Sequence, residues 1–125
     1  MAVHTVNESA RDELVKVMEW FKTAKTEPRS HSSSRCTDED RFEICGPLLT
    51  ALGLLKQGNG YALLRLYGDV AFEKDDGLDT LFFPFGPVRV TGEELRLGNY
   101  MRFRESKYFH ANVDCLIVTV PQTTA

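Results

Sequence analysis

The sequence predicts an α+β domain in which two helices pack on one face of a curved, mostly antiparallel sheet of five to six strands. Three observations lead there. Apolar residues recur at helical spacing in the first half of the chain, the period changes to two after "QGNG", and Gly- and Asp-Gly-containing turns divide the second half into short segments. The 125 residues show no internal repeat, so a single domain over 1–125 is expected, large enough to bury a core without disulfides or metal.

The first helix is expected from Ser9 to about Lys25. Ser9 reads as the N-cap, Asp12 and Glu13 put negative charge at the positive end of the macrodipole, and Ala10, Leu14, Val17, Met18 and Phe21 form the apolar face. Val15 and Trp20 widen that stripe, so Trp20 is either a core edge or an anchor for a partner. Residues 26–40, "TEPRSHSSSRCTDED", carry almost no large apolar side chain and read as a flexible loop. A second helix is expected from Pro47, in the first helical position, to about Gln57, closed by Gly58, with the preceding "DEDRFEIC" either an earlier helical turn kinked at Pro47 or a short strand. Leu48, Leu49, Ala51, Leu52, Leu54 and Leu55 make it apolar nearly all round, the pattern of the most buried helix.

The strands follow. "YALLRLYG" and "DVAFEK" alternate, "KDDG" is a turn, and "PVRVTGEELRLG" reads as a hairpin. "YMRFRES" alternates again, and "CLIVTVP" is a near-continuous apolar run, as in a strand covered on both sides. "LFFPFGP" stands apart. Three phenylalanines and two prolines in seven residues do not suit a regular central strand, because Pro84 removes a ladder donor. The bend either plugs the core or presents an apolar surface.

Composition narrows the function. A net charge of -3 gives no overall attraction for polyanions. The start "MAVHTVNESARDEL" has no signal-peptide or transit-peptide pattern, and the longest strongly apolar run, "GPLLTALGLL", is too short for a membrane span, so a cytoplasmic protein is expected. Cys36, Cys45 and Cys115 then default to thiols.

Catalytic patterns are weak. "CGP" at Cys45–Pro47 resembles three residues of the thioredoxin-like CGPC pattern, but Leu48 stands at the resolving position and no βαβ unit precedes it. "HSSSR" lacks a rigid elbow, Glu93 and Glu94 diverge on a strand, "GNG" is not a phosphate loop, and the acidic run from Asp69 to Asp79 lacks the order of a calcium loop. No enzyme and no cofactor are expected.

The leading expectation is a non-catalytic protein-binding domain of accessory, adaptor or inhibitor type. It would bind another protein, or itself as a homodimer, through Trp20, Phe82, Phe83, Phe85 and Tyr100. One alternative is nucleic-acid binding by a basic-aromatic strand face at 89–108, formed by Arg89, Arg96, Arg102, Arg104, Lys107 and Tyr108. A third is a zinc-supported site from the two His-x₄-Cys stretches, His31/Cys36 and His110/Cys115, although neither is a tight knuckle.

Overall fold

The computed structural model describes residues 3–122. In chain order the elements are β1 (His4–Thr5), α1 (Glu8–Phe21), β2 (Thr26–Ser30), β3 (Ser33–Cys36), α2 (Arg41–Ala51), β4 (Gly60–Phe72), β5 (Leu78–Pro84), β6 (Val88–Val90), β7 (Glu93–Leu95), β8 (Asn99–Phe103) and β9 (Lys107–Pro121). Seven strands form one antiparallel sheet in the order β1-β8-β5-β9-β4-β3-β2, and β6 and β7 form a separate hairpin. The α+β class and the two helices are as expected; the strands outnumber the five or six anticipated.

Asn7, not Ser9, caps α1: its Oδ1 accepts the Ala10 N–H at 2.8 Å. The helix buries Ala10, Leu14, Val17 and Phe21 as one stripe and ends at Phe21, short of Lys25. The second helix departs further from expectation. It starts at Arg41, six residues before Pro47, because Asp38 organises the preceding turn. The Asp38 carboxylate accepts the N–H groups of Asp40 at 3.0 Å and Lys25 at 3.1 Å, and these bonds hold its carboxyl below the usual aspartate value. Pro47 therefore sits inside α2, on its exposed side, where the Glu43 carbonyl it leaves unbonded can turn to water.

The end of α2 is set by Gly53 and not by Gly58. Gly53 takes φ +72, its N–H bonds Thr50 C=O, and Leu54 N–H bonds Leu49 C=O at 2.8 Å, which is a Schellman closure. Leu52, Leu54 and Leu55 consequently lie beyond the helix. Residues 26–40 are also not the loop that composition suggested. β2 and β3 form a hairpin that joins the sheet through Ser33↔Leu66, Ser34↔Arg65 and Arg35↔Leu64.

Leu81–Pro84 of "LFFPFGP" belong to the inner strand β5, hydrogen-bonded to both β8 and β9, and Phe85 follows directly. Pro84 is tolerated because Phe85 N–H bonds Asp114 C=O on the β9 side at 2.8 Å. The missing Pro84 donor then falls on the β8 side, past the last pair Phe82↔Met101. Leu81, Phe83 and Phe85 face a core shared with Leu14, Val17 and Phe21 of α1 and Leu48 and Leu49 of α2. Phe82 faces the other way, and that face is buried as well.

The second core exists because the longest strands bend. β4 pairs with β9 along all 13 of its residues, and the far end of this ribbon folds back across β5 and β8. Its Phe72 and Phe109 meet Phe82 and Phe103, every pair of the four rings having centroids 5.6–6.3 Å apart. Gly68, at φ +143 and opposite Ala111, is the ribbon's smallest cross-strand pair and relieves the curvature. Val88, Val90 and Leu95 of the β6–β7 hairpin close the remaining side.

Phe82 has no exposed surface and touches all three other rings. Phe82→Ala is expected to destabilise the fold by about 3–5 kcal/mol in chemical denaturation, the range for an unrelieved large-to-small change. A loss below about 1 kcal/mol would mean that the quartet is not packed.

Candidate functional site

Alternation along the ribbon assigns its inner residues to the second core and leaves a polar, aromatic outer face. On β4 this face carries Tyr67, Asp69 and Ala71; on β9 it carries Asn112, His110 and Tyr108, directly opposite them. Tyr67 is 40% and Tyr108 63% exposed. Neither hangs free: the Tyr67 hydroxyl shares a 2.7 Å hydrogen bond with Ser34 Oγ, and the Tyr108 hydroxyl donates to Glu73 at 3.1 Å. Between them His110 Nδ1 lies 3.1 Å from Asp69 Oδ1, and Asn112 Nδ2 is 3.5 Å from His110 Nε2. A proton on Nδ1 satisfies both contacts, the imidazole donating to Asp69 and accepting from Asn112. A shallow depression of about 350 Å³ lies among Asp69, Ala71, Tyr108 and His110.

Arg65 marks where the helices stop covering this sheet face. Its guanidinium grips Asp114 across the ribbon at 2.9 and 3.4 Å and donates at 3.0 Å to Phe21 C=O, the end of α1. It also lies 5.0 Å from the centre of the Phe21 ring. A cation at the carbonyl end of α1, which has no basic residue in its own last turn, satisfies an orphan acceptor and complements the helix dipole. Beyond Arg65 the same sheet face is open.

The residues predicted to bind a partner lie elsewhere. Phe82, Phe83 and Phe85 are buried, Trp20 is half-buried against the helix-side core, and Tyr100 is half-buried and stacked on Phe83 at 4.9 Å. Phe82, Phe83 and Phe85 thus belong to the interior, while Trp20 and Tyr100 keep part of their surface at its edge. Tyr67 and Asp69 were missed. Their signal is present in "YGDVAFE", where alternate positions are polar or small, but it counts only once the intervening Val70 and Phe72 are known to face a core.

The predicted basic strand face is dispersed. Arg102 and Arg104 both turn onto the carboxylate of Asp79, at 2.6 and 3.3 Å, and Gln122 Nε2 donates to its other oxygen at 2.9 Å. Arg89 is on β6, Arg96 follows β7, Lys107 is half-buried, and only Tyr108 belongs to the open ribbon face. Asp79 is 1% exposed. Burial alone would raise its carboxyl, but hydrogen bonds from Arg102 and Gln122, with the charges of Arg102 and Arg104, outweigh burial and hold it below the ordinary aspartate value. The cluster is a seam, tying the start of β5 to β8 and to the end of the described chain.

The four His-x₄-Cys residues do not converge. Cys36 belongs to the helix-side core and Cys115 to the second core, while His31 and His110 are exposed, at the β2–β3 turn and on the ribbon. Among the described residues, no three His, Cys, Asp or Glu side chains are grouped to hold a metal ion. Cys45 lies within α2, not at its N-terminus, and burial together with nearby Cys36 pushes its thiol up to about 12. Burial raises Cys36 and Cys115 too, so these thiols pack as small apolar groups.

A larger open groove, about 1140 Å³, runs between the start of α1 and the β7–β8 connection. Its walls oppose Arg11 and Arg96 to Glu8, Asp12 and Glu94, and its one aromatic, Phe85, is buried. It has neither net charge of one strong sign nor an exposed ring to anchor a ligand. No helix among the described residues is long and apolar enough to cross a membrane. The chain matches no protein-family model, and no curated protein matches it in sequence.

Arg102→Met should destabilise the protein by about 2–4 kcal/mol at neutral pH, since it strips a buried carboxylate of its closest partner. Because the folded-state pKa of Asp79 is depressed, the stabilisation from its ionised form is fully present above the ordinary aspartate value and lost as pH falls through the lowered one. Urea melts of wild type and variant should therefore converge as pH falls from 5 toward about 2; a gap that stays constant would remove Asp79 from the account.

Proposed function

We propose that this protein is a non-catalytic protein-binding domain and that its docking surface is the outer face of the β4–β9 ribbon, centred on Tyr67 and Tyr108. The observation that carries this reading is the pair of exposed tyrosines, each restrained by a hydrogen bond on a rigid sheet. Tyrosine gives a large amphipathic contact with few rotors to freeze, and prior restraint reduces the entropy lost on binding. The shallow relief of the face suits another macromolecule better than a small ligand, which needs a concave site. Three buried, unpaired thiols fit a reducing compartment such as the cytoplasm. The domain thus acts by occupying a partner's surface, as an accessory, adaptor or inhibitor does.

A photo-crosslinking residue at Ala71, directly opposite Tyr108, tests this in extracts of the source cells. It should capture a discrete protein that the same residue at Val15, on exposed α1, does not. Capture should fall roughly tenfold or more with Tyr67→Ala plus Tyr108→Ala, as for two hot-spot truncations, while folding stability changes by less than about 0.5 kcal/mol per exposed site. Equal capture from both positions, or capture indifferent to the tyrosines, would sink the proposal.

A further inference from the structure

The ribbon half that carries the tyrosines is also acidic. Residues 67–76 and 105–112 contain Asp69, Glu73, Asp75, Asp76 and Glu105 against Lys74 and Lys107, an excess of three negative charges. The neighbouring seam of Asp79, Arg102 and Arg104 offsets only one of them. Lys74 is engaged with Glu105 at 3.7 Å, and among the described residues Asp69, Glu73, Asp75 and Asp76 pair with no lysine or arginine. The Asp69 side chain is 98% exposed. The nearest structural use of these groups is holding His110 and Tyr108, which leaves their charge uncompensated.

From this we infer that the partner docks with a basic, lysine- or arginine-rich polypeptide surface. The inference rests on the tyrosine face being the docking surface and adds the chemistry of what covers it. Aromatic rings next to unpaired carboxylates suit long cationic side chains: the aliphatic stem lies over the ring, the charged head can sit at the ring face, and the head ends at a carboxylate. Asp69 borders the depression beside Tyr108 and His110, Glu73 holds the Tyr108 hydroxyl, and Asp75 and Asp76 follow in the β4–β5 turn. The same field repels polyanions, so nucleic acid is disfavoured on this face.

The probe is a twelve-residue lysine/arginine-rich peptide, titrated into the isotope-labelled full chain, with a glutamate-rich peptide of equal length as control. Amide shifts should concentrate at Tyr67–Ala71 and Tyr108–Asn112. Affinity should fall about tenfold between roughly 50 and 300 mM salt, as for a contact between exposed charges. The triple variant Asp69→Asn, Asp75→Asn, Asp76→Asn should bind at least about tenfold more weakly, and Tyr67→Ala plus Tyr108→Ala should do the same. Glu39→Gln plus Glu43→Gln, removing two acids beside the start of α2, should change nothing. Shifts spread over every acidic region, equal loss with the Glu39/Glu43 variant, or tighter binding of the glutamate-rich peptide would overturn the inference. If the Ala71 cross-link forms but is indifferent to salt and to the triple variant, the basic partner is wrong while the docking face stands; if the cross-link also fails, both are wrong.

Discussion

The contact among Phe72, Phe82, Phe103 and Phe109 is the interaction on which the rest of this structure depends. Two of the rings come from the middle of the sheet and two from the far end of its longest ribbon, so the quartet forms only if β4 and β9 bend through the Gly68–Ala111 pair. Once bent, the ribbon covers the face of β5 that the helices do not. A strand covered on both sides can be apolar at successive positions, and this is why "LFFPF" is accommodated inside the domain. The Asp79 seam follows from the β5–β8 register instead, since the pairs Thr80↔Phe103 and Leu81↔Arg102 set Arg102 and Arg104 beside Asp79.

The bend also decides what remains on the surface. Folding the ribbon inward consumes Val70, Phe72, Phe109 and Ala111, and period-two alternation sends Tyr67, Asp69, Tyr108 and His110 outward. α1 cannot cover them because it ends at Phe21, where Arg65 closes its last carbonyl and pairs with Asp114. An aromatic, acidic outer face is thus the counterpart of an aromatic core, produced by the same two strands.

Much of this was legible in the sequence, and the failures share a cause. The stripe Ala10, Leu14, Val17 and Phe21 gave the first helix, because a 3.6-residue period is a local property of the chain. The apolar run of β9 likewise announced a strand buried on both faces. The β2–β3 hairpin was hidden, since its serines become strand residues by pairing with Leu64–Leu66 thirty residues away. The start of α2 was hidden in the same way: Asp38 sets that turn partly through Lys25 N–H, thirteen residues earlier. For the candidate site, alternation identified the outward set but not which set faces water, because that depends on the ribbon bending back. With "LFFPFGP" readable either as a core plug or as an apolar surface, its phenylalanines competed for the docking role and the tyrosines did not stand out.

The central claim is that Phe82, Phe83 and Phe85 are interior while the tyrosines of the ribbon are exterior. Solvent paramagnetic relaxation tests it directly, by adding a soluble, uncharged gadolinium chelate to protein labelled in its Phe and Tyr rings. The account predicts little enhancement at Phe82, Phe83 and Phe85 and strong enhancement at Tyr67 and Tyr108. Enhancement at Phe82 comparable to that at Tyr108 would contradict it, because the ribbon would then not close over β5 and the outer face would not be the surface offered to a partner.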